Sequence, residues 1–237
     1  MARSRPSKRS GKERPDKSVR SENEPAELRI IGGSFRGRKL KYHGDPVTRP
    51  MKHRVREALF NLVSVGCEGR YAIDLFAGTG ALGLEALGRG CVGVTFIEKH
   101  IPSARVVEEN IASLEVEELA NLCVTSAFLW GQRDLPMIGK LTEELPSSSF
   151  PLPPKSVPWL VFCSPPYAFF VDRQEDMLAL INSLVETAPP ESIFLVEADE
   201  RFDFGLLPGG VKENRKDEGW DVRTYPPAVV GVWEKTA

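Results

Sequence analysis

The stretch "YAIDLFAGTGALGLEALGRG", Tyr71 to Gly90, constrains the fold more than any other part of the chain. A short apolar run ends near an acid, glycines follow at Gly78, Gly80 and Gly83, and a helix-forming run succeeds them. Glycines at that spacing permit a tight turn and a close approach of helix to strand, so the stretch reads as strand, turn, helix. The same grammar recurs downstream. "GVTFIEKH" is a second strand, followed by a helix over 102–115, and "NLCVTSA" is a third strand. "PWLVFCSPPY" is a fourth strand, "DRQEDMLALINSLVETA" its helix, and "SIFLVEAD" a fifth strand. The end, "DVRTYPPAVVGVWEK", reads as two more strands with a tight connection. This alternation predicts an α/β fold with a mostly parallel sheet and helices on both faces. The Pro/Ser-rich segment 131–158 reads as a surface-loop insertion before the fourth strand.

The chain of 237 residues, 41% hydrophobic, is long enough for one large domain of this kind. No apolar run approaches the roughly 18–20 residues a bilayer span needs, and the polar start has no secretory apolar region. Cys67, Cys91, Cys123 and Cys163 lack metal spacing and read as buried, reduced thiols. A cytoplasmic protein without metal or membrane partner is expected, and a monomer. The net charge of -2 hides an asymmetry: residues 1–56 carry 17 Lys+Arg against 6 Asp+Glu, whereas the rest carries 14 against 27. A basic front on an acidic body points to a polyanionic partner for the front.

Residues 1–27 are almost devoid of apolar side chains and are expected to be a disordered basic tail. "LRIIGGSFRGRKLKY" reads as a small basic hairpin. "TRPMKHRVREALFNLV" begins a helix near Pro50, with Met51, Val55, Ala58, Leu59 and Leu62 on an apolar face. Arg49, Lys52 and Arg56 share the other face. Residues 28–69 thus form a basic β-hairpin and helix extension ahead of a domain spanning 70–237. Its Arg36, Arg38, Lys39, Arg49, Lys52 and Arg56 are candidates for RNA phosphates, which would position a substrate without reading its sequence.

A G-x-G-x-x-G turn serves several cofactors. Asp74 ends the strand before it, where a carboxylate repels a pyrophosphate but accepts hydrogen bonds from an ammonium or ordered water, so a ligand with a cationic amino-acid part fits better. Glu98 ends the second strand, where an acid can hold both hydroxyls of a ribose.

"DLFAGTG" with that acid, and a strand closing in "PPY", resembles the class I S-adenosylmethionine-dependent methyltransferases that modify exocyclic amino groups of bases. "RIIGGSFRGRKL" and "TRPMKHRVREALFNLV" ahead of it are similar to the RsmD-type 16S ribosomal RNA guanine-N2 methyltransferases. The resemblance runs from about Arg29 to Glu98 and again over 161–167. It implies the Rossmann-like seven-stranded methyltransferase sheet, S-adenosylmethionine as donor, and a small-subunit rRNA or particle as partner. It also implies a cofactor site of Asp74, Phe76, Ala77, Gly78, Thr79, Gly80, Glu98, Lys99, Ser126 and Ala127, and a catalytic corner of Ser164, Pro165, Pro166 and Tyr167. The chain departs from the family where Ser164 stands for Asp or Asn, Met51 and His53 for Thr and Asp, and Ser126 for an acid.

An exocyclic amino nitrogen is a poor nucleophile, because its lone pair is delocalised into the ring. It must be held with its N–H bonds aimed at acceptors before it can attack a sulfonium methyl in line. Pro165 and Pro166 remove two N–H donors and aim the carbonyls of Ser164 and Pro165 into the cleft. The Ser164 hydroxyl can accept one more hydrogen bond. Tyr167 offers a stacking face worth about 1–3 kcal/mol per base, against the few kcal/mol needed to unstack one. Two readings stay open beside guanine: amino methylation of another base, in RNA or DNA, and a non-catalytic RNA-binding factor on the same scaffold. A dehydrogenase explains neither Asp74 nor "SPPY".

Overall fold

A computed structural model describes residues 28–44, 51, 53–63, 66–140, 151–214 and 216–236. It contains the elements α1 (His53–Val63), β1 (Tyr71–Asp74), α2 (Ala81–Gly88), β2 (Gly93–Ile97), α3 (Ile101–Leu114), β3 (Ala120–Cys123) and α4 (Ala127–Arg133). There follow β4 (Trp159–Cys163), α5 (Phe169–Asp172), α6 (Gln174–Thr187), β5 (Ile193–Asp199), β6 (Asp221–Tyr225) and β7 (Ala228–Glu234). The strands form one seven-stranded sheet in the order β3-β2-β1-β4-β5-β7-β6. The first five are parallel and β7 runs antiparallel to β5 and β6. This is the Rossmann-like α/β architecture expected from the motif grammar.

Alternation along the strands divides the core into two layers. Ala72, Val94, Phe96, Leu160, Phe162 and Leu195 face α1, α2 and α3. Ile73, Ile97, Val161, Cys163, Phe194 and Val196 face α4 and α6. The chain reverses its winding between β1 and β4, so the loops after β1, β2, β3 and β4 gather at one end of the sheet. Open α/β sheets bind ligands there.

Three expectations change on the structure. The basic hairpin itself is present and short: Arg29 pairs antiparallel with Lys39, the Ile30, Gly37 and Leu40 amides donate across it to the Arg38, Ile30 and Leu28 carbonyls, and its turn lies at 34–37. Gly32-Gly33 instead lies against the end of α2: a Cβ on Gly33 would sit 2.0 Å from the Gly88 carbonyl oxygen, and the Ser34 amide donates to that oxygen. The insertion begins later than 131, because α4 runs to Arg133 and Leu135 and Ile138 are buried against the α4–α6 core. The tail 1–27, Arg49, Pro50, Lys52 and 141–150 lie outside the described residues.

The third change concerns Arg56, which faces inward and is 1% exposed. Its Nη2 donates to the Arg29 carbonyl, and its Nε lies 3.3 Å from Glu85 Oε2, close enough for an ion pair but not aligned as a hydrogen bond. Burial pulls the Arg56 guanidinium down and the Glu85 charge opposes that. A helical wheel misplaces it because an arginine is assigned to water by default, whereas here a fully buried glutamate waits for it. Glu85 also accepts from the Ile31 amide and from the Arg89 guanidinium, the latter at 2.7 Å. Breaking such a pair from one side leaves a buried charge uncompensated. Glu85→Ala should therefore lower unfolding free energy by about 3–5 kcal/mol in urea titration, and more than Arg89→Ala does, because Arg89 is partly solvated.

Candidate cofactor and base site

The loop after β1 is tied down from both sides. The Gly78 amide donates to Glu98 Oε2 at 2.8 Å, and the Gly83 amide donates to Asp74 Oδ2 at 3.2 Å. Gly78 and Gly80 hold positive φ angles of 55° and 77°, the left-handed turn that glycine allows without strain. Gly83 answers a different need: a Cβ there would meet the Phe96 ring at 2.4 Å, so only glycine lets α2 lie this close to β2. Asn110 of α3 donates to the Thr79 carbonyl at 2.9 Å and exchanges hydrogen bonds with the Lys41 backbone. Tyr42 and His43 of the N-terminal segment, Gly78 and Thr79, and Pro102 and Ser103 of α3 wall the adjoining cleft.

Asp74 is buried, and its Oδ1 has no hydrogen-bond partner among the described residues. Burial pushes its carboxyl up to about 7; the Glu98 charge adds to this and the Gly83 and Phe76 amides oppose it. An orphaned acceptor beside a glycine loop suits a cationic ligand group. Glu98 is half-buried and uses its second oxygen to accept the His100 amide at 2.7 Å, so its orientation is set by two backbone donors. Lys99 is exposed and its ammonium lies 5.1 Å from the Phe169 ring centre. Phe76, half-buried, meets Phe128 and Phe169 edge-on, and Arg173 lies 3.8 Å over Phe128. Ser126 caps α4, its Oγ accepting the Leu129 amide at 3.1 Å, and Ala127 is buried behind it. The serine that stands where the family has an acid thus serves its own helix as an N-cap.

At the end of β4, Pro165 is buried, Pro166 exposed and Tyr167 half-buried, packed beside Val55 of α1 and Val230 of β7. The Pro166 carbonyl is taken by the Phe169 amide at 2.8 Å. Among the described residues the Ser164 and Pro165 carbonyls accept no backbone hydrogen bond. The sequence reading did not include Glu197 of β5. Tyr167 Oη donates to Glu197 Oε1 at 2.7 Å, and Ser164 Oγ donates to Glu197 Oε2. The signal for it was an acid inside the apolar run "SIFLVEAD", one strand away from "SPPY" in the sheet.

The structure therefore brings Asp74, the glycine loop, Glu98, Ser126 and Ser164–Tyr167 to the same end of four neighbouring strands. Among the phosphate candidates, Arg36, Arg38 and Lys39 are exposed, with Arg38 Nη2 donating to the Ser113 carbonyl. Arg54, not singled out in the sequence, is exposed on α1 where Arg56 was expected to be. No group of three or more metal-ligating side chains gathers among the described residues, and no helix there is long and apolar enough to cross a membrane.

Comparison with known proteins agrees with the motif reading. Residues 28–134 match the family described as conserved hypothetical protein 95 (Cons_hypoth95). The chain is 45% identical over 89 residues to ribosomal RNA small subunit methyltransferase D of Escherichia coli K12, covering 38% of this chain and 45% of that protein. It is 29% identical over 184 residues to the protein of the same name from Haemophilus influenzae, covering 78% of this chain and 85% of that one. For the E. coli protein and one Bacillus subtilis relative, the match spans only about half of the relative's length. A solved structure of a hypothetical protein from Thermus thermophilus aligns with a TM-score of 0.60 at 23% identity, over 87% of this chain and 99% of that one, a likeness of fold. These findings support the RsmD-type family.

The Asp74 geometry has a consequence for stability. A carboxyl near 7 when folded and about 4 when unfolded binds more protons in the folded state between those values, so stability is greatest below the window and falls as pH rises through it. Thermal melts of ligand-free protein should show that decline between about pH 4 and 7, and Asp74→Asn should flatten it. An equally steep decline in the variant would assign the effect to other groups.

Proposed function

We propose that this chain, whose residues 28–134 match the Cons_hypoth95 family, is an S-adenosylmethionine-dependent rRNA methyltransferase acting on the exocyclic N2 amino group of a guanine in small-subunit RNA. The names of its E. coli and H. influenzae relatives support rRNA as the substrate class. The observation that carries the chemistry is the corner after β4: the Ser164 and Pro165 carbonyls are unclaimed by the backbone, two prolines offer no N–H, and the Ser164 hydroxyl stands beside them. A corner of acceptors is what an amino nitrogen needs if its N–H bonds are to be held while its lone pair points along the attack line.

S-adenosylmethionine, when bound, supplies an electrophilic methyl group. The residues present fit it. Asp74, with its unpartnered Oδ1, accepts from the ammonium of the amino-acid part. Glu98 takes the ribose hydroxyls, in exchange with or beside its backbone donors. Gly78, Thr79 and Gly80 offer close backbone approach, Phe76 and Ala77 line the turn, and Lys99, Ser126 and Ala127 border the adenine. Pro166 and Tyr167 shape the base corner, Tyr167 through its ring. No metal takes part in this scheme.

Arg36, Arg38, Lys39 and Arg54 carry the RNA backbone. Arg56 takes no part in RNA contact, because it is consumed by Glu85 and Arg29. Arg49 and Lys52, outside the described residues, keep their place in the proposal on sequence alone. The N-terminal segment that presents these cations is the one that Asn110 and Glu85 clamp to the glycine loop and α2. RNA docking and the cofactor loop therefore share a rigid support.

Labelled S-adenosylmethionine with unmodified small-subunit RNA or particles should yield N2-methylguanosine on nucleoside analysis. N6-methyladenosine or N4-methylcytosine in its place would overturn the guanine assignment, and RNA binding without cofactor binding in calorimetry would favour the non-catalytic factor. Ser164→Asn should retain or raise transfer and Ser164→Ala lower kcat. Asp is the poorer replacement, since it would set a second carboxylate against buried Glu197. Arg36→Glu with Arg54→Glu should weaken RNA binding and reduce its salt slope by about 0.7 for each phosphate no longer neutralised; a slope unchanged in the double variant would remove these arginines from the interface.

A further inference from the structure

Glu197 is held by nothing but hydroxyl protons among the described residues, and that sets the polarity of the corner next to it. A serine hydroxyl in a cleft can ordinarily turn to donate or to accept. Here the Ser164 proton goes to Glu197 Oε2 and the Tyr167 proton to Glu197 Oε1. Glu197 is 6% exposed, so the two hydroxyl protons supply hydrogen bonds that water would give an exposed carboxylate. Burial pushes the Glu197 carboxyl above its ordinary range, and the two hydroxyl donors oppose that shift. The phenol of Tyr167 is pushed up by its own burial and by the Glu197 charge. Glu197 faces apolar Val230 across β7 in the sheet register, so β7 supplies no competing donor at that position.

We propose that Glu197 is the residue that makes this corner select guanine: by taking both hydroxyl protons it leaves Ser164 Oγ as an acceptor toward the cleft, beside the Ser164 and Pro165 carbonyls. Guanine presents adjacent donors, the N2 amino group and N1–H. Adenine and cytosine present an amino group beside a ring-nitrogen lone pair. Three acceptors satisfy the first edge, whereas on the second edge one acceptor would face the lone pair with no proton between them. Unpaired polar groups of this kind are costly once desolvated. Glu197 does not touch the base; it is a positioning residue acting through Ser164. The inference rests on the proposed base methylation and names what sets its specificity.

The test uses guanosine and 2-aminopurine riboside, which share the 2-amino group and differ at N1–H and the 6-carbonyl, so the change in preference between variants is what reports on the acceptor corner. Binding of each to the full chain saturated with S-adenosylhomocysteine is followed by NMR. Wild type should prefer guanosine by tenfold or more. Glu197→Gln must donate an amide proton to one hydroxyl oxygen, which turns that hydroxyl's own proton away, and should shrink the preference severalfold. Ser164→Ala, which leaves the glutamate in place, should shrink it as well, and the double variant should do no worse than either single one. In the ligand-free protein, ultraviolet titration should show a phenol returning toward its ordinary range in Glu197→Gln. An undiminished guanosine preference in both single variants, or equal binding of the two nucleosides by wild type, overturns the proposal. Cofactor binding with neither nucleoside bound would remove the base corner itself, and so the proposed function.

Discussion

A carboxylate cut off from water must draw its partners from the chain, and Glu85 draws on three separate pieces of it. The Ile31 amide comes from the N-terminal segment, the Arg56 guanidinium from α1, and Arg89 from the turn after Glu85's own helix. Remove the carboxylate and the Arg56 guanidinium loses its countercharge in a dry setting, where unpaired charge is most expensive. The N-terminal hairpin meets α2 through the Ile31 amide on Glu85 and the close seat of Gly33 at Gly88. Everything that segment contributes, its exposed cations and the wall of the cleft, inherits that anchorage.

Two further buried carboxylates lie on the same face of the sheet as α1 and α2, at the carboxyl ends of its parallel strands. Asp74 braces the glycine loop through Gly83 and keeps one oxygen unpartnered; Glu197 spends both oxygens on hydroxyl groups of the corner after β4. The three differ in what satisfies them: Glu85 meets two guanidinium groups and an amide, Asp74 keeps one oxygen without a partner among the described residues, and Glu197 meets two hydroxyl groups. Burying each one has a cost in desolvation, which is why such residues point to a site more reliably than exposed charges do.

Much of the site was legible before any coordinates. Asp74, the glycine loop, Glu98 and Ser164–Tyr167 follow one another at strand ends, and local spacing alone places them there. Arg56 was misread because helical periodicity reports which residues share a face, but not which face meets a buried acid. Ser126 was assigned to the cofactor site from the resemblance, and the structure adds that it caps α4. The insertion was started too early, at 131, because weight went to the prolines and serines of the segment, when Leu135 and Ile138 still had core to fill.

By itself the sequence determined the order of strands, loops and helices, and hence that the acids and glycines would lie at the carboxyl ends of a parallel sheet. Chain connectivity and the right-handed crossover leave few other arrangements for such a pattern. Only the tertiary structure decided which side chains would meet. Parallel pairing of β4 with β5 sets Cys163 beside Val196, and the next residues along, Ser164 and Glu197, become neighbours though they stand thirty-three positions apart. No local pattern encodes that register, because it is chosen by how both faces of the sheet pack at once.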